Sequence, residues 1–148
     1  MDAILAAIGS SAPAAALRAS FVAYPLVSAA HILGAGGIVV LVWLMHAALS
    51  GRATVADPGT ARFYRRLVIA LLLLMVLSGL ALFSVRPVDY AVNPAFRIKL
   101  ALIAAALVNV AAYHAIAAHR PALARFSTMV SLAVWPAILV AGRFVGFV

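Results

Sequence analysis

The nineteen residues from Leu67 to Val85 contain no charged side chain. A helix needs about twenty such residues to cross the hydrocarbon of a bilayer. Three further runs of similar length and apolarity occur, at about 21–48, 95–118 and 126–147, with the first set at about 67–85. Backbone groups in lipid must satisfy their own hydrogen bonds, which admits only helices or a closed barrel. The runs are rich in Leu and Ala without strict alternation, so helices are expected. The reading is an all-α, four-helix transmembrane bundle: residues 1–20 form an interfacial or flexible N-terminal segment, and 21–148 form the membrane domain. Only 9% of the chain is charged, against roughly a quarter in soluble domains.

Eleven basic residues outnumber three acids, for a formal charge of +8. Most of them flank the apolar runs, where headgroups rather than nucleic acid are the expected partner. The slight excess of Arg in the first and third loops puts both termini outside the cytoplasm, on the periplasmic side of a bacterial inner membrane. There is no cysteine, so disulfides and thiolate-held clusters are excluded.

Proline and glycine mark the boundaries. Pro25 suits the first turn of span one, and Asn93-Pro94 reads as an N-cap followed by a helix-opening proline. Gly51-Arg52 ends span one, with a turn around Asp57-Pro58-Gly59. The short loop 86–93 makes spans two and three antiparallel neighbours. Ala61-Arg62-Phe63 before span two is echoed by Ala124-Arg125-Phe126 before span four, and Gly79 and Gly142 each follow sixteen residues after the phenylalanine.

Ionisable groups inside a span cost roughly 2.5–3.5 kcal/mol each at a helix centre and usually face a partner or cofactor. Here they are His31, His46, Lys99, His114 and Arg143, and no carboxylate joins them. That argues against a carboxylate proton relay and against paired-carboxylate catalysis. His31 and His46 are fifteen residues apart, as are Lys99 and His114. Each pair is offset by roughly 60° around the helix and roughly 22 Å along it. Spans one and three run parallel, which puts His31 level with Lys99 and His46 level with His114. Two polar layers inside one bundle suit a membrane cytochrome, in which imidazole binds haem iron and cations pair with propionates. Gly34 lies one turn from His31 on the same face, where a small residue admits either a flat macrocycle or a neighbouring helix.

The run Tyr24-Pro25…His31…Gly34, the run Asn93-Pro94-Ala95-Phe96-Arg97-Ile98-Lys99-Leu100, and Asn109…Tyr113-His114 together resemble an uncharacterised family of small bacterial four-helix inner-membrane proteins. More distantly the chain is similar to copper-resistance D proteins and to the J-type protoporphyrinogen oxidase. The resemblance to the oxidase implies that His31 and Lys99 match its essential pair, with His31 as haem ligand.

The expectation is a b-type haem protein of the membrane that transfers electrons, with quinone or a membrane redox partner. His31 and His114 are the leading metal ligands. Lys99, His46, Arg143 and Gly34 complete the cofactor site. Two separately ligated haems and one haem on a single histidine both fit these residues. The alternatives are a haem-dependent oxidase of a porphyrin-like or quinol substrate, and a non-redox accessory or permease-like subunit packing in a homo- or hetero-oligomer.

Overall fold

The computed structural model describes residues 2–49, 58–116 and 119–147. Two short helices, α1 (Asp2–Gly9) and α2 (Ala12–Ala19), precede the long α3 (Ala23–Leu49) and α4 (Pro58–Val85). A six-residue α5 (Pro87–Val92) leads into α6 (Pro94–Ile116) and α7 (Pro121–Phe144). The fold is an all-α bundle, and α3, α4, α6 and α7 are each long and apolar enough to cross a membrane. The turn expected at Gly51-Arg52 and Asp57, and the end of span three at 117–118, lie outside the described residues.

Large apolar side chains cover the outside of the bundle. Leu33 and Val92 are each 74% exposed, a surface that suits acyl chains and would be untenable in water. The interior is narrow. Ile38, Ala106, Trp135 and Ile138 form its buried centre, flanked by Leu71, Leu102 and Ile103 among others.

Proline sets the starts of the long helices more often than the apolar pattern alone indicates. Pro58 and Pro121 each open a helix, so α4 and α7 begin several residues before the apolar runs expected at 67 and 126. The missing N–H of proline costs nothing in a first turn. Asn93 caps α6 as expected, its Oδ1 accepting the Phe96 N–H at 2.9 Å. Helix α7 remains helical through Pro136.

The N-terminal segment is helical and makes contacts with the bundle. Helix α1 lies against α4 and α5, and α2 against α3 and α4. Ala14 is wholly buried, and Arg18 ties the two helices together by donating to the Gly9 carbonyl at 2.6 Å.

The long helices pack in the order α4–α3–α7–α6. The expected pairing of α4 with α6 is not formed: among the described residues their backbones do not approach. The connection is itself a helix. It carries the chain across the end of the bundle, so α6 seats against α7. Only side chains bridge α4 and α6 there, through the stacked rings of Phe83, Tyr90 and Phe96, with centroids 5.6 to 6.3 Å apart.

Candidate functional site

His31 and Lys99 meet. Lys99 Nζ lies 3.2 Å from His31 Nε2, although α3 and α6 themselves do not pack together. On its other side the ring's Nδ1 is 2.9 Å from Ser78 Oγ on α4. Ser78 Oγ–H donates to the Leu74 carbonyl one turn back, so the hydroxyl is left to accept. These contacts suit the tautomer in which His31 Nδ1–H donates to Ser78 Oγ and the Nε2 lone pair accepts from Lys99. Ser78 is buried, and His31 and Lys99 are half-buried.

Two glycines make room for this pair. A Cβ on Gly79 would lie 3.1 Å from His31 Cε1, and a Cβ on Gly142 would lie 3.4 Å from Lys99 Nζ. The sixteen-residue echo thus has a structural counterpart. Each polar side chain rests on the glycine of its own hairpin, His31 on Gly79 and Lys99 on Gly142. All four long helices contribute to the layer. A methyl at Gly79 sits closer to the ring than nearly all real contacts, so the imidazole must yield. In Gly79→Ala the 15N resonances of His31 are expected to lose the Nδ1-protonated pattern and average between tautomers. An unaltered spectrum would mean that Gly79 does not set the ring.

The other expected residues are dispersed. His46 Nδ1 is 3.4 Å from Thr128 Oγ1 on α7. His114 is exposed, its ring edge-on to Tyr113 with centroids 5.5 Å apart. These two share a depth but not a site. His31 and His114 lie in different layers, since Lys99 touches His31 and His114 is roughly 22 Å further along α6; one iron cannot take both. Arg143 is exposed and places its guanidinium 4.6 Å over the Phe147 ring, a cation–π contact. Gly34 is buried against α4, where a Cβ would lie 3.2 Å from Met75 Cγ and Sδ. It lets α3 and α4 approach closely there. His119 is exposed beyond the end of α6.

Two interior residues have a setting that sequence reasoning did not assign. Asn109 binds α7: its Nδ2 donates to the Ser127 carbonyl at 2.8 Å and to Ser131 Oγ at 2.9 Å. The signal was present in Ser127 and Ser131, one turn apart on one face of a span. Trp135 is buried, and its Nε1–H has no hydrogen-bond partner among the described residues. It lies seven residues, or two turns, before Gly142, one layer inward from His31 and Lys99.

Among the described residues no three His, Asp or Glu side chains cluster as a metal site. Comparison of the chain with family models, with curated proteins and with solved structures finds no match.

Proposed function

We propose that this multi-pass membrane protein of the bacterial inner membrane binds one b-type haem through His31 alone and takes part in electron transfer, with quinone or a membrane redox partner, both termini lying on the periplasmic side. The observation that carries this reading is the state of the His31 ring. Nδ1–H is pinned to Ser78 and Nε2 presents a lone pair toward Lys99 at 3.2 Å. Metal-binding histidines are held this way, with the second ring nitrogen donating to a fixed acceptor that sets tautomer and orientation. The donor set fits haem: a neutral imidazole and a flexible cation able to turn from that nitrogen to a propionate.

Bound haem would supply one-electron chemistry at iron. The protein's own residues do the rest. Ser78 keeps the imidazole oriented, Gly79 leaves its edge uncovered, and the apolar faces of α3 and α4 exclude water. Among the described residues no second imidazole contacts His31, which also accommodates the second reading, a haem-dependent oxidase of a porphyrin-like or quinol substrate.

The test is a visible spectrum of the protein purified in detergent after expression with ample haem supply. A Soret band with broad, five-coordinate features is expected. Sharp six-coordinate α and β bands would overturn the single-histidine arrangement. No chromophore at all would overturn haem binding and leave an accessory, non-redox subunit.

A further inference from the structure

A cavity of about 500 Å³ opens at the end of the bundle where α3 begins. Arg18, Tyr24, Arg86, Asp89, Tyr90 and Asn93 line it, over a floor that includes Val85 and Val145. Tyr24 stands at the start of span α3 and Val85 at the end of span α4. Asn93 precedes α6 and Val145 follows α7. The cavity therefore lies at one membrane face, at the depth of the headgroups. It is set about two turns, roughly 10 Å, outside the His31–Lys99 layer.

Its chemistry favours an anion. Two guanidiniums face one carboxylate across the same space. Arg18 uses one N–H on the Gly9 carbonyl, leaving four of its five donors. Arg86 follows the last residue of α4 and has its side chain exposed. Tyr24 and Tyr90 both line the cavity, with Tyr24 close enough to act on the Tyr90 phenol. Burial, and then Tyr24 beside it, raises the Tyr90 phenol above its ordinary range, so that hydroxyl stays protonated at neutral pH. Asn93 is committed to structure, its Nδ2 donating to the Val145 carbonyl at 3.3 Å and its Oδ1 capping α6.

Exposed apolar residues are the sequence neighbours of the lining: Phe21 is 97% exposed, Val22 67%, Val88 44% and Val92 74%. An Arg-lined polar cup with such apolar neighbours at headgroup depth matches a phosphate joined to acyl chains.

We infer that this vestibule is a phosphate-binding site formed by Arg18 and Arg86 with the Tyr24–Tyr90 pair, and that it takes the headgroup phosphate of an anionic lipid or free phosphate. Planar guanidiniums bind phosphate in a bidentate, charge-assisted manner. The site stands independently of haem, since none of its residues belongs to the His31 layer.

The experiment uses the full chain, stripped of lipid in detergent and examined by native mass spectrometry. Dioleoyl phosphatidylglycerol is offered against dioleoyl phosphatidylcholine, and inorganic phosphate is titrated separately by 31P line broadening. Wild type is expected to retain phosphatidylglycerol at least roughly tenfold better than phosphatidylcholine, in line with the attraction of basic residues at an anionic surface. R18Q/R86Q should lose that preference. R18K/R86K should keep most of it, and R62Q/R65Q, at the opposite end of α4, should keep all of it. R86Q alone should lose part of it without touching the Arg18–Gly9 tie. Broadening by inorganic phosphate without lipid retention, abolished by R18Q/R86Q, would assign the site to free phosphate. Equal retention of both lipids with no broadening, or binding unchanged in R18Q/R86Q, overturns the site. H31A should bind phosphatidylglycerol as wild type does, which separates this result from the fate of the haem reading.

Discussion

Replacing His31 by alanine is expected to remove the haem spectrum completely while leaving the four spans folded. The expectation of a complete loss comes from the geometry. Among the described residues His31 is the imidazole whose lone pair faces the interior beside a cation, and His114 is exposed in another layer. The expectation of intact folding comes from the partners left behind. Ser78 keeps its bond to the Leu74 carbonyl, so no hydroxyl proton is orphaned. Lys99 loses an acceptor, but it sits five residues into its span, and a long lysine so placed snorkels to the headgroups. The net cost of one lost interhelical bond averages roughly 0.6 kcal/mol in membrane proteins. Helical circular dichroism and gel filtration should therefore match wild type. Added imidazole should restore part of the Soret band by entering the space above Gly79. His114→Ala and His119→Ala should leave the spectrum as it is. An unchanged Soret band in His31→Ala would sink the assignment of His31 as ligand.

The meeting of His31 and Lys99 was legible because it needs only depth. Helix rise is strict, and spans one and three run the same way, so spacing alone placed both residues in one layer. The same arithmetic put His46 level with His114 and failed to join them, because depth does not fix which way a side chain faces. Fifteen residues turn the helix by roughly 60°. That rotation brings His46 to Thr128 and leaves His114 outside. The pairing of α4 with α6 was misread for a different reason. Loop 86–93 reads as a short reversal, whereas Pro87–Val92 is helical and spans the bundle end. The proline rule that worked at Pro94 applied equally at Pro58 and Pro121, where the apolar pattern hid it. The vestibule was illegible, since its walls come from five separate segments and no one of them carries a motif.

Asn109→Leu is expected to destabilise the bundle by about 2 kcal/mol, the larger part of it at the α6–α7 seam. Helix α6 has no other long-helix neighbour at backbone level among the described residues, so this seam holds it. Asn109 Nδ2 makes two of the bonds across it, at 2.8 and 2.9 Å, and Ser127 Oγ donates back to Asn109 Oδ1 at 3.0 Å. Leucine removes all three. It also leaves Ser131, which is buried, without its interhelical partner, whereas Ser127 Oγ–H keeps the backbone carbonyl of residue 109 at 3.2 Å. Single bonds of this kind average about 0.6 kcal/mol with a maximum near 1.7, so three of them come to about 2. Leucine prefers hydrocarbon to asparagine, but both the folded and the separated helices remain in the membrane, and that preference largely cancels. Unfolding in mixed detergent measures the loss. Ser131→Ala should cost less than about 1 kcal/mol, and the double variant should cost less than the two singles added, because they share a bond. Additive losses would mean that the Asn109–Ser131 bond contributes nothing. A stable Asn109→Leu would mean that α6 is held by apolar packing alone. Since α6 carries Lys99, a loosened seam also withdraws the amine from His31. The same variant should then blur the His31 15N tautomer pattern, tying the stability of the seam to the geometry of the site.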